Sequence, residues 1–226
     1  MNVVVGRQRE GALSDVLPLE AQVLLLDLLR RLFLQGPNQG MVDALAAAAA
    51  LDACEWTPAA ADALQRMRQA IASRGDGPDA LLDLEVEFTR LTIGPFEIPA
   101  LPYASFYLSP SRALMTEETL DVRRRYLQAG VAVRELDHTP DDHLGVELEF
   151  LHFLSLQALQ AAVRDDMTAY DLALERRAEF VREHAARWMP QFAQALSDAT
   201  QDEVFRAAAA LLRQVMRLDE DAAAGS

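Results

Sequence analysis

The chain has no lysine. All 21 of its basic residues are arginines, and 35 acidic residues stand against them, for a formal net charge of −14. A field of that sign repels nucleic acid and anionic lipid and attracts cationic partners. There is one cysteine, Cys54. That excludes an intramolecular disulfide and a thiolate zinc site, and suits a reducing cytoplasm. Set in an alanine-rich stretch, Cys54 reads as a small core residue. No long apolar run occurs: the longest uninterrupted one is Ala44 to Leu51, far below the ~20 residues a membrane helix needs. Near the N-terminus Arg7 and Arg9 are followed by Glu10 and Asp15, with no apolar stretch after them, so this segment is not read as a signal peptide. Alternating β-branched runs, glycine-rich phosphate loops, nucleophile motifs and internal repeats are also missing, which argues against a sheet and against the common enzyme fingerprints.

What is present is helical periodicity over 226 residues that are 51% hydrophobic, ample for a sizeable core. The expectation is an all-α fold, a single helical-bundle domain of about eight to ten helices over 1–218, with a disordered acidic tail over 219–226. The first helix runs from about Pro18 to Gln35 and is stopped by Gly36-Pro37. Within it Arg30-Arg31-Leu32-Phe33-Leu34 mimics a twin-arginine signal. Its neighbours Asp27 and Asp43 instead suit two arginines in the last turns of a helix. A second helix covers about Met41 to Cys54. A third opens at Thr57-Pro58 and ends near Arg74. In a fourth, Leu81, Leu84, Phe88 and Leu91 form one stripe. Residues 93–111 are irregular, rich in proline and aromatics, and long for a loop inside a compact helical domain. Thr116 caps a fifth helix that Gly130 closes. Thr139-Pro140-Asp141-Asp142 reads as a capping box with Pro at N1, opening the most apolar helix. A further helix spans about Ala169 to Trp188 and is broken by Pro190. Thr200 and Glu203 form a second capping box.

The chemistry-bearing cluster is Asp141, Asp142 and His143, with Glu147 four residues on and so on the face of His143. Three readings stay open. Two of a metal's ligands could be His143 and Glu147, but no third is in view, since His138 and His152 have no reason to converge. A carboxylate could tune His143 for acid–base work, though without an accompanying nucleophile. Or Asp141 and Asp142 merely serve a helix start. Phe88, Leu91 and the aromatic loop, taken alone, read as core and its cover.

Four segments in order resemble the TorD/DmsD/NarJ family of redox-enzyme maturation chaperones: Leu84 to Pro95 with Phe88 and Leu91; Leu101-Pro102-Tyr103-Ala104-Ser105-Phe106-Tyr107-Leu108; Pro140-Asp141-Asp142-His143 continuing to Glu147 and Phe150; and His184 with Trp188-Met189-Pro190. The set spans about half of the chain. Two positions depart from the pattern. Thr92 stands where the family carries Phe, making that pocket smaller or more polar. His138-Thr139 precedes Pro140 where the family has a Glu. The resemblance implies an all-α cytoplasmic chaperone that is not an enzyme, needs no cofactor or metal, and binds the twin-arginine signal peptide of a molybdoenzyme catalytic subunit while its cofactor is inserted. It implies signal-peptide binding by Phe88, Leu91, Pro102, Tyr103, Asp142 and His143, to which Glu147 is added from its shared face. Such a chaperone is a monomer or a helix-swapped dimer, with Val131 to His138 as the hinge. Carboxylates would take the guanidinium groups, and an apolar groove the remainder. The alternatives are a hydrolase centred on Asp142, His143 and Glu147, and a helical scaffold subunit of a redox complex.

Overall fold

Leucines recur at three- and four-residue steps along α1 (Leu19–Gln35). The computed structural model buries that face, with Leu25, Leu28, Leu29 and Leu32 inaccessible. Each such side chain contributes about 1.5–3 kcal/mol when removed from water. The structure describes residues 18–51, 56–75, 79–94, 97–133 and 139–217. Cys54, most of the Val131–His138 connector and the acidic tail lie outside the described residues.

The described chain is predominantly helical, with α2 (Gln39–Ala50), α3 (Pro58–Ala72), α4 (Leu82–Thr92), α5 (Ala104–Leu108), α6 (Glu117–Gln128), α7 (Leu144–Val163), α8 (Met167–Phe180), α9 (Ala186–Ala199) and α10 (Glu203–Arg217) following α1. One π turn, Val181–Ala185, joins α8 to α9. Among the described residues there is no strand, only an isolated antiparallel bridge between Tyr103 and His143. No helix among them is long and apolar enough to cross a membrane.

The core is built on α7, which is apolar on nearly every side and packs against both α1 and α8. Alanines at 60 and 63 of α3 and at 207 and 208 of α10 are fully buried. They let those two helices lie close together. Arg66–Glu203 and Arg74–Asp202 pairs cross the same seam; partly exposed, they add at most about 1 kcal/mol each. A buried polar tie joins three helices: Arg177 of α8 donates to Gln22 of α1 and, at 3.1 Å, to Ser155 of α7. The Arg30-Arg31 pair lies within α1 and is held by Asp27.

Several helix ends match their sequence signals. Thr57 accepts from the Ala60 N–H at 3.2 Å, with Pro58 at the first position. Gly130, at φ 80°, ends α6 with Gly130 N–H to Leu127 O and Val131 N–H to Tyr126 O, both 3.0 Å, the paired bonds of a Schellman ending. Others differ. The expected capping box at Thr139–Asp142 is not one. The helix starts at Leu144 with His143 as its cap, because Asp141 and Asp142 are drawn to partners elsewhere. Thr116 spends its hydroxyl on Glu118 instead of capping α6. Thr200 accepts from Asp202 N–H at 3.0 Å, and Asp202 caps α10 by accepting from Val204 N–H at 2.9 Å; Glu203 is taken by Arg66. The irregular segment contains α5. Pro190 lies inside α9 and does not break it. The π turn just before it already loosens the ladder into which a proline cannot donate.

Gly145 sets the α1–α7 distance. A Cβ there would sit 2.8 Å from the Leu34 backbone nitrogen and 2.9 Å from its Cα. Alanine normally gains ~0.5–1 kcal/mol over glycine inside a helix. Here the clash is with backbone, which cannot swing aside, and overpacking costs ~1–3 kcal/mol. Gly145→Ala is therefore expected to lower the thermal midpoint by about 3–6 °C. An unchanged or raised midpoint would show that the two helices have room to separate.

Candidate functional site

After α4 the chain turns back, and three attachments fix its return. Ala100 N–H donates to Leu91 O at 3.0 Å. Leu144 N–H, at the start of α7, donates to Pro102 O at 2.8 Å, and Ala104 N–H donates to Asp142 O at 3.0 Å. The Asp142 side chain adds a fourth, its Oδ2 accepting from Ser105 N–H at 2.9 Å. Proline in this stretch limits the freedom lost on ordering it. The result is a wall, Leu101-Pro102-Tyr103, held against the first turn of α7.

Between that wall, the last turns of α4 and the Gly36-Pro37-Asn38 corner between α1 and α2 lies a groove of about 850 Å³. Phe88, Thr92 and Ile93 of the α4 side, Pro102, Tyr103 and His143 line it. Phe88 is largely buried, stacked on Phe205 at 6.3 Å between ring centres. Ile93 is 60% exposed. Tyr103 meets His143 edge-on at 5.2 Å. Thr92 turns its hydroxyl back to Phe88 O at 2.8 Å, so the position offers the groove a small, hydrogen-bonded side chain. Leu34, Gln35 and Thr139 also border a second groove of about 880 Å³ that contains Arg30, Glu149 and His152.

Of the seven residues singled out from the sequence, four reach this groove: Phe88, Pro102, Tyr103 and His143. The other three are inaccessible: Leu91, Asp142 and Glu147 are each 0% exposed. Leu91 belongs to the core under the groove floor. Asp142 holds the loop; its second oxygen, Oδ1, is buried without a hydrogen-bond partner among the described residues. Glu147 faces away from His143. It meets His184 Nε2 at 2.7 Å and accepts from Trp188 Nε1 at 3.0 Å. Burial pushes the Glu147 carboxyl up, and His184 and then Trp188 pull it back down. The π turn brings His184 to this carboxylate, with Trp188 one turn later on the same face. Asp141 is equally buried and takes Arg123 at 2.7 and 3.0 Å, while its carbonyl accepts the Tyr126 hydroxyl at 2.9 Å.

The hydrolase arrangement of Asp142, His143 and Glu147 is thus not assembled. Each of the three has its own separate structural partner. Nor do His143 and Glu147 share a metal: among the described residues no group of three histidine, cysteine or carboxylate side chains is placed to hold one. Sequence reasoning overlooked the Gly36–Asn38 corner, Ile93 and Glu85, which also lines the groove. Glu85 and Ile93 lie three residues before and five after Phe88, so helical spacing could have found Glu85.

His143 is neutral. Burial pushes its imidazole down from about 6.5 to about 4, and the Asp142 charge only partly opposes this. Its Nδ1 must stay unprotonated to accept the Gly145 N–H at 3.1 Å. A histidine with a depressed folded pKa stabilises the fold above its unfolded value, and that stability is lost as pH falls from about 6.5 towards about 4.

A family described as nitrate reductase delta subunit matches residues 54–194. Among curated proteins, the chaperone protein TorD of Aliivibrio fischeri is 27% identical over 169 residues, 75% of this chain and 77% of its own length. The chaperone protein TorD of Photobacterium profundum is 29% identical, covering 72% of this chain and 74% of its own. That of Vibrio vulnificus is 30% identical, covering 65% and 66%.

His143→Asn keeps an acceptor at the cap without a titrating ring. Melts at pH 7 and pH 4.5 should show the wild type losing about 1–3 kcal/mol more stability than the variant between the two. Equal losses would mean that His143 is not held neutral by the fold.

Proposed function

The chain belongs to the nitrate reductase delta subunit family, the TorD/NarJ-type maturation chaperones, and on that footing we propose that it binds the twin-arginine signal peptide of a molybdenum-cofactor oxidoreductase. In this reading the chaperone acts in the cytoplasm. It holds the apo-enzyme during cofactor insertion and delays export until that is complete. The observation that carries it is the groove: open, more apolar than polar, and lined by Phe88, Pro102, Tyr103 and His143 from three separate segments. A segment that combines arginines with an apolar stretch needs such a trough to bury the apolar part. The net charge of −14 favours encounter with a basic peptide and rejects nucleic acid.

The buried residues support this reading indirectly. Asp142 receives no guanidinium group while it is sealed from solvent. Its part is to hold the Leu101–Tyr103 wall against α7. Glu147 likewise ties α7 to α9. The peptide is therefore read by the groove surface, and the carboxylates beneath keep that surface in shape.

Ile93 is exposed, so replacing it leaves the core intact. With a synthetic peptide carrying two arginines followed by an apolar stretch, Ile93→Gln should weaken binding about tenfold in calorimetric titration, as expected for ~1.4 kcal/mol of lost apolar burial. The thermal midpoint should stay within about 1 °C. Full affinity in this variant, or no peptide binding by the wild type, contradicts the reading.

A further inference from the structure

We infer that Glu85, and not any member of the Asp141–His143 cluster, is the groove's receptor for a cationic side chain, and that it sets the direction in which a peptide lies. The inference rests on the groove reading proposed above. Glu85 is the carboxylate among the groove's lining residues, and no arginine lines the groove with it. The one titratable base there, His143, is held neutral. Glu85 is exposed and has no ion-pair or side-chain hydrogen-bond partner among the described residues.

Asp83 and Glu97 are exposed but do not line the groove, and the other neighbouring acids are engaged or inaccessible. Glu87, two residues on, is held by Arg90 at 2.7 Å and by the Thr200 hydroxyl at 2.6 Å. Asp141 is taken by Arg123. Glu149, in the second groove, has Arg30 at 3.5 Å. Asp142 and Glu147 are inaccessible. Among the described residues Glu85 is thus the carboxylate that lines the groove itself, with no ion pair to compensate it, beside apolar side chains that lower the local dielectric and strengthen its pull on a cation.

Its position gives the groove a polarity. Phe88, Thr89 and Thr92 lie three, four and seven residues after Glu85, so all four run along one side of α4. The acid stands at the N-terminal end of that line. The apolar groups Ile93 and Leu101 stand at the other. A bound segment would place its basic residue over Glu85 and its apolar residues towards Ile93 and Leu101. A guanidinium group can engage a carboxylate through two parallel bonds, so arginine should be preferred to lysine.

The test is calorimetric titration of the full chain at low salt with the same two-arginine peptide, and with a second peptide in which both arginines are replaced by aspartate. Glu85→Gln should weaken the first peptide about three- to tenfold, and by less when salt is raised. Glu85→Arg should weaken it further while improving the aspartate peptide over the wild type, a reversal that a merely structural role would not produce. Both substitutions are at an exposed site and should leave the melt unchanged. If Ile93→Gln weakens binding but neither Glu85 variant does, the groove stands and the assignment of Glu85 is wrong. If neither position matters, the groove reading fails and this inference falls with it.

Discussion

Everything in the groove depends on where a short proline-rich segment is held, and Asp142 is what holds it. Its carbonyl takes Ala104 N–H, its Oδ2 takes Ser105 N–H, and beside it Pro102 O takes the first free N–H of α7. A buried carboxylate is costly to desolvate, and it persists only where charge-assisted bonds recover much of that cost. Asp142 recovers part, through one backbone N–H, and leaves Oδ1 unmatched among the described residues. A second buried carboxylate, Glu147, lies about one turn further along α7 and is satisfied by His184 and Trp188. Together the two acids fix α7 to the loop on one side and to the π turn and α9 on the other. Gly145, between them, lets α7 close on α1. The groove is the space left when these three contacts have been satisfied.

This arrangement divides the acidic residues by burial. Those in the Asp141–Glu147 stretch are turned inward and spent on structure. The surface excess leaves an acidic exterior whose field attracts cationic groups. The carboxylates Asp141, Asp142 and Glu147 of the sequence motif that points to the family are therefore all inaccessible. Its histidine alone reaches the groove, and does so uncharged because the ring is largely buried, which also suits it to cap α7.

The helical fold was legible from the chain because its signals are local. Leucine spacing in α1, Thr57-Pro58 and Gly130 each act within one or two turns. Most of the misread helix starts are cases in which a distant partner outbid a local one. Asp141, Asp142, Thr200 and Glu203 have the residue types of helix caps, yet Arg123, Ser105, Glu87 and Arg66 claim them, and nothing in the linear order announces those partners. Pro190 reads as a break because the π turn ahead of it has no sequence mark. In the groove, the apolar and aromatic members could be named because they lie in conspicuous segments. The burial of Leu91 was readable from its apolar stripe, but that of Asp142 and Glu147 was not, since charged residues around a helix start are ordinarily exposed. Glu85 and the Gly36–Asn38 corner were passed over because each is unremarkable until the fold brings it to the groove.

Asp142 acts on the groove through the loop. Hydrogen exchange at the Ala104 and Ser105 amides tests it most directly, measured in the wild type and in Asp142→Ala alongside peptide affinity. Both amides should be protected in the wild type. In the variant Ser105 should lose its protection, Ala104 should exchange faster, and affinity for the two-arginine peptide should fall with them, while amides in the middle of α1 and α10 stay protected. A loss of affinity with the Ser105 amide still protected would place Asp142 in contact with the peptide and contradict the account.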